Sequence, residues 1–476
     1  MGGLAMLTHQ ADFINEADIE SILQQAAAAP PERAREILEK AREAKGITPE
    51  EAAVLLYVED RDRLWEMFRA AAAIKERIYG KRVVLFAPLY LSNYCVNNCR
   101  YCGYRRDNRF PRRKLTMEEI ADEVTILEEM GHKRLALECG EDPQNCPIDY
   151  VLEAIRTIYG IKEKNGSIRR VNVNIAATTV DDYRLLKEAG IGTYILFQET
   201  YHRPTYKEMH PSGPKADYDW HTTAMDRAMQ GGIDDVGLGV LFGLADYKYE
   251  TVAMLFHAQH LEEEFGVGPH TISVPRLRPA LGVDIDHFPN LVPGHEFQKL
   301  VAVIRLAVPY TGMILSTRER PEFRDQLLTT GISQISAGSC TGVGGYKREH
   351  ELVGQNPATV GTPQFSVEDH RSPDEVLFSL CRSGYIPSYC TACYRQGRTG
   401  DRFMTLAKTG EIQNVCQPNA ILTFQEYLQD YASPRTRTAG EEAIRQHLNY
   451  ITNPTIRRRT EEHLALIRQG QRDLFF

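Results

Sequence analysis

Long apolar runs are missing from this 476-residue chain. No stretch approaches the ~18–20 consecutive apolar residues that a membrane-spanning helix needs, and the N-terminus lacks the apolar core of a signal sequence. The sequence therefore predicts a soluble, cytoplasmic protein with no membrane contact. A basic excess is missing too: the formal net charge is −8, which leaves no surplus of Lys and Arg to neutralise phosphates and argues against nucleic-acid binding. The basic run Arg457–Arg459 reads as a solvated helix face. Cysteine is too sparse for a secreted disulfide framework, with ten in the whole chain. Seven of those ten cluster or stand near predicted strand ends, a pattern that favours iron–sulfur chemistry over disulfides and an anaerobic setting. What remains is ordinary for a globular protein, at 42% hydrophobic and 25% charged residues. The length suits one large domain with flanking layers, or two or three smaller ones.

The densest chemistry lies in Leu91–Tyr104, where Cys95, Cys99 and Cys102 form a C-x3-C-x2-C run with Tyr101 directly before the third. Three thiolates on one short loop can hold three irons of a four-iron cluster, whereas a closed cluster wants four cysteines. The next cysteine is Cys139, beyond a predicted helix and strand, so one iron stays open to an outside ligand. A zinc site is the competing reading, but zinc loops favour C-x2-C pairs and no nearby histidine completes this one. The spacing resembles that of the radical S-adenosylmethionine (SAM) enzymes. In those enzymes the amino and carboxylate groups of SAM chelate the open iron, and an electron from the cluster cleaves the sulfonium to give a 5′-deoxyadenosyl radical. The resemblance places Tyr101 beside the adenine.

Residues 1–80 read as a helical wrap with no motif. Thr48-Pro-Glu-Glu51 is a capping box, and a further helix runs over roughly 60–79. From residue 82 apolar strands alternate with helices. Strands are expected over 83–91, 134–138, 171–176, 193–197, 236–241, 271–275, 313–316 and 334–337. Helices are expected between them, among them 217–230 after a long loop. Repeated β–helix–β units require a parallel sheet, and eight of them fit a closed TIM-type (βα)8 barrel over 81–340. A six-strand partial barrel is the alternative. Residues 341–476 form a C-terminal extension, with loops at 342–345 and 355–364 and a helix starting at Ser372-Pro-Asp-Glu375. Chemistry in such barrels sits on the loops after the strands, and the cysteine loop follows the first.

Other candidates occupy the same end. Cys139-Gly140-Glu141 follows the second strand. Radical SAM enzymes carry a glycine-rich stretch there that meets the methionine amino group, and Gly140 and Glu141 match it; the plain alternative is a strand-to-helix turn. Glu199, after the fourth strand, is a candidate SAM contact or else a salt-bridge partner of Arg203 or Lys207. Gly237-Leu-Gly239 is a weak candidate for adenine approach. Arg318, after the seventh strand, has the planar fork that pairs a carboxylate; it is read as the clamp on an amino-acid substrate, or as an internal ion pair with Glu319 or Glu322. Near the C-terminus Cys390, Cys393 and Cys416 make a second three-cysteine set. Cys381 is a possible fourth ligand, and a zinc site is again the alternative.

The cysteine loop, Gln198-Glu-Thr-Tyr201 and Thr271–Pro279 together resemble the aromatic-amino-acid lyase branch of the radical SAM enzymes, from about residue 50 onward. That branch includes a tyrosine lyase of thiazole (thiamine) synthesis, which ends without an auxiliary cluster. It also includes the tyrosine lyases that mature FeFe-hydrogenase, which have one, and the second cysteine set makes this chain similar to the latter. The resemblance implies cleavage of the Cα–Cβ bond of L-tyrosine to p-cresol and dehydroglycine. The fragment then becomes carbon monoxide and cyanide, held on iron at the second cluster. It also implies an extra labile iron at that cluster, held in part by a histidine and a free cysteine molecule. His260 is the favoured histidine and His270 the other. A reductant such as flavodoxin or ferredoxin and other hydrogenase maturation proteins would be partners. A non-catalytic two-cluster scaffold or electron carrier is the remaining reading, and one that fits a large barrel with open irons poorly.

Overall fold

The computed structural model describes residues 10–351 and 363–476. Its centre is a sheet of parallel strands: β1 (Arg82–Ser92), β2 (Arg134–Cys139), β3 (Arg170–Asn174), β4 (Tyr194–Ile195), β5 (Val236–Gly239), β6 (Thr271–Ser273), β7 (Gly312–Leu315), β8 (Gln334–Ser336) and β9 (Ile386–Ser388). The order runs β2-β3-β4-β5-β6-β7-β8-β1, and β1 also pairs with β2, so eight strands close into a barrel. All eight lie where hydrophobic patterning put them. β1 is the longest at eleven residues, and the others run from two to six.

β9 is the element the sequence did not announce. Its three residues, Ile-Pro-Ser, carry too little pattern to read as a strand. It pairs with Arg82–Val84 of β1, while β2 pairs with β1 only from Ala87 upward. β9 thus takes the flank of β1 that β2 leaves free, at the N-terminal end of the barrel.

Helices cover the barrel outside. The capping boxes at Thr48, Thr116 and Ser372 are all formed, with the side chain of each bonded to the backbone N–H three residues on. One buried apolar cluster runs from Ile14 to Ile467. The helix expected over 217–230 is broken into Tyr218–Thr222 and Ala224–Gln230. At the break the Arg227 guanidinium donates to Trp220 O at 2.6 Å, a carbonyl that a continuous helix would use itself. The long loop before it contains a helix, Arg203–Met209, and another helix, Gly345–Glu351, follows the glycine-rich stretch after β8. Most of the loop expected at 355–364 lies outside the described residues. No helix among those described is long and apolar enough to cross a membrane.

Candidate functional site: two cysteine sites at opposite ends of the barrel

Alternation along the strands sends every second side chain inward. On β1 these are Val84, Phe86, Pro88 and Tyr90. Val84 lines a cavity at the N-terminal end, and the other three line a larger one at the C-terminal end. The two cavities therefore stack along one barrel axis.

The upper cavity holds Cys95, Cys99, Cys102, Tyr101, Gly140, Glu141, Glu199 and Arg318 together. Its empty space, open mouth included, is about 1500 Å³. The cysteine loop is built by its neighbours. Arg112 donates to the carbonyls of Asn93, Tyr104 and Arg105, each at 2.6 Å. Asn97 donates to Glu141 at 2.5 Å, and Val96 N–H donates to the Glu141 carbonyl at 2.8 Å, so Glu141 braces the loop. Gly140 is required by this packing: a Cβ there would come within 2.2 Å of the Tyr94 carbonyl oxygen. Burial pushes the Cys95 and Cys99 thiols up, and Cys102 to about 11. Bare thiols are disfavoured as anions there, and a bound metal would reverse that.

Tyr101 is fixed by His210. The His210 Nδ1–H donates to Tyr206 O at 2.8 Å, which leaves Nε2 to accept from the Tyr101 hydroxyl at 2.8 Å. Burial lowers His210 to about 3 and keeps it neutral. Glu199 sits at φ +68°, a left-handed conformation that a non-glycine residue adopts at a cost, and one that concentrates at functional sites. Its ion pair is with Lys215 at 2.8 Å, not with Arg203 or Lys207.

Arg318 points into the same space, its guanidinium 3.4 Å from the Phe365 ring centroid. Neither proposed internal acid pairs with it. Glu319 is taken by Arg276 and Arg278, and Glu322 is exposed on a helix. Burial lowers the Arg318 pKa. Around it lie groups that sequence reasoning passed over: Glu138, Asn174, Lys215, His221 and Ser339. Burial raises Glu138 to about 8, against the opposing charge of Arg318. The Ser339 hydroxyl oxygen is buried without a partner among the described residues. Glu138 had a signal, an acid in inward register at the end of a strand; Lys215 and His221, inside a loop and a broken helix, had none.

The lower cavity, about 540 Å³, gathers Cys390, Cys393 and Cys416 with Arg82, Arg134, His270, Gln334 and Tyr394. β9 delivers the first two cysteines, and the helix Ile412–Asp430 delivers Cys416. The Cys393 and Cys416 thiols share a hydrogen bond that favours the Cys416 thiolate, with Arg82 adding to the effect. Cys381 is buried elsewhere, in the helix Pro373–Arg382. The expectation for His260 is corrected here. It lies outside the barrel wall, stacked on Phe13 at 3.9 Å and bonded to Asp226 at 2.6 Å, as a helix position facing the N-terminal wrap dictates. His270 is the histidine in the cavity; its Nε2 meets the Tyr394 hydroxyl at 2.7 Å. Its Nδ1 lies 3.5 Å from Asp235 and makes no hydrogen bond in that geometry.

Among the described residues no three His, Cys, Asp or Glu side chains converge on a single metal-ion position, whereas a four-iron cluster takes each thiolate on a different iron.

Residues 89–258 match the radical SAM superfamily model, and residues 273–386 match the biotin and thiamin synthesis associated domain. The 2-iminoacetate synthase of Escherichia coli K12 is 32% identical over 351 residues, covering 74% of this chain and 89% of that protein. A crystal structure of HydG, a maturase of the [FeFe]-hydrogenase, superposes with a TM-score of 0.94 at 66% identity, covering 98% of this chain and all of that one. HydG from Carboxydothermus hydrogenoformans gives 0.81 at 40% identity, covering 94% of this chain and 97% of that one. The chain belongs to the radical SAM enzymes, in the branch that holds the HydG maturases.

Proposed function

We propose that this protein cleaves the Cα–Cβ bond of L-tyrosine to p-cresol and dehydroglycine, and converts the latter to CO and cyanide bound to iron for assembly of the FeFe-hydrogenase cluster. The observation that carries the reading is the stacking of two three-cysteine cavities on one barrel axis. The upper cluster, when bound, supplies the electron that cleaves SAM to the radical.

The chain's own residues do the rest. Cys95, Cys99 and Cys102 would hold three irons of a four-iron cluster, leaving one iron open to SAM. Tyr101, locked by His210, offers a fixed ring to the adenine, and the Gly140–Glu141 turn and Glu199 contact SAM's polar groups. Arg318 takes the tyrosine carboxylate, since a buried guanidinium that forms no ion pair among the described residues is suited to an anionic guest. Cys390, Cys393 and Cys416 would hold the second cluster. The His270 imidazole, kept neutral by burial at a pKa of about 4, would ligate an extra iron there, beside a free cysteine molecule. From Arg82 to Tyr90 the inward face of β1 covers eight residue steps, about 26 Å at about 3.3 Å each, the length that small fragments would travel inside the barrel between the two sites.

The test is anaerobic turnover with tyrosine, SAM and a low-potential reductant, following p-cresol by chromatography and metal-bound CO and cyanide by infrared spectroscopy. Both products are expected. p-Cresol without the infrared bands would instead make the protein a 2-iminoacetate-type lyase, the reading that the E. coli relative favours. Absence of p-cresol would defeat both.

A further inference from the structure

Arg82, Arg134 and Arg305 are among the arginines buried at the lower half of the molecule, and they are not alike. The Arg305 guanidinium is satisfied by carbonyls: Nε and Nη2 donate to Gly331 O at 3.1 and 2.8 Å, and Nη1 donates to Pro309 O and Thr311 O at 2.9 and 2.7 Å. It is a structural clamp. Arg82 and Arg134, only 6% and 7% exposed, open β1 and β2 and line the lower cavity. The Nε of each has no hydrogen-bond partner among the described residues. Arg134 Nη1 reaches the Cys390 carbonyl at 3.2 Å, which fixes the loop but leaves the charge uncompensated.

A buried guanidinium without an anion is strongly unfavourable. Both guanidinium groups line the same cavity as Cys390, Cys393 and Cys416. Whatever those three cysteines bind therefore lies beside two buried cations whose Nε–H groups are unspent.

We propose that Arg82 and Arg134 form a cationic seat under the group held by Cys390, Cys393 and Cys416, donating their free Nε–H groups to its sulfurs and stabilising its reduced state. The inference rests on the reading of that group as an iron–sulfur cluster. Reduction adds one electron and no proton, so the cluster gains a full negative charge in a water-poor cavity; the electron comes from the low-potential reductant that the upper site also needs. Charge and hydrogen bonds to sulfur are the two levers by which a protein raises a cluster's potential, and both arginines supply both. They are positioning residues, since they act on the cluster and not on tyrosine.

The experiment uses the full chain with Cys95, Cys99 and Cys102 replaced by alanine, so that only the lower site takes up iron and sulfide. Its midpoint potential is read by an EPR-monitored titration, then compared in Arg82→Met, Arg134→Met and Arg82→Lys backgrounds. Each methionine variant should lower the equilibrium constant for reduction about tenfold, ~59 mV for one electron, and lysine should recover most of the loss. An unchanged midpoint with the cluster bound overturns the inference while leaving the cluster reading intact. If the parent takes up no iron and sulfide, the cluster reading itself fails. A methionine variant that cannot bind the cluster supports the proposal if Arg82→Lys restores binding, and overturns it if it does not.

Discussion

At the scale of single residues, the upper cavity brings opposed charges into a dry space, and their balance should be measurable. Removing one partner of a buried charge pair typically costs about 3–5 kcal/mol. Arg318→Ala should therefore weaken tyrosine binding by two orders of magnitude or more and leave SAM binding nearly unchanged. Calorimetric titration of each ligand checks this, and equal tyrosine affinity would return Arg318 to a packing role against Phe365. Glu138 gives a pH signature. Its folded pKa is raised to about 8, so its contribution to stability is full below the unfolded value of about 4.3 and is lost as pH rises through 8. Glu138→Gln stays neutral, so its melting temperature should gain on the parent's steadily from pH 5 to pH 8. A constant difference across that range would mean that Glu138 is ionised in the folded protein. The cysteines, Gly140, Glu199 and Arg318 were legible because each follows a strand in a short recognisable stretch. Arg82 and Arg134 were not, because a cation that opens a strand reads as solvated until a later segment buries it. His260 misled for a related reason. A histidine late in a helix has no direction until the packing partner of that helix is known, and here the partner is Phe13.

At the scale of elements, the lower site depends on β9 and its turn. Three residues paired to Arg82–Val84 set the position of Cys390, and Cys393 follows on the short helix Ala392–Arg395. None of this touches the loops that line the upper cavity. Cys390→Ser with Cys393→Ser should thus leave p-cresol formation within a few-fold of the parent and abolish the infrared bands of metal-bound CO and cyanide. Loss of p-cresol as complete as in Cys95→Ala would show that the two sites act as one. The eight barrel strands were legible because each carries a run of inward and outward apolar residues against a helix with its own period. β9 was not, because pairing supplied by β1 replaces any pattern of its own. The break near Thr223 was hidden likewise, since a side chain takes a carbonyl there.

At the scale of the whole molecule, the proposed function requires fragments to move along the barrel interior from the upper cavity to the lower one. Ala136 on β2 is the inward residue between Arg134 below and Glu138 above, paired in register with Pro88 of β1. Ala136→Phe would fill that layer. p-Cresol should persist, because the upper cavity keeps its groups, while metal-bound CO and cyanide fall at least tenfold and cyanide escapes to solution. Infrared spectroscopy beside a colorimetric cyanide assay measures both. Undiminished bands would mean that the fragments travel by another route.

The late arrival of β9 also has a consequence for how the molecule is made. A ribosome has released all three cysteines of the upper set by residue 102 and the eighth strand by residue 336, while the lower triad waits for Cys416. The pairing of β1 with β9 joins residues some three hundred apart in sequence, a slow closure. The nascent chain therefore passes through a stage in which the barrel has a top and no floor, and iron delivered then has one port to enter and one still under construction.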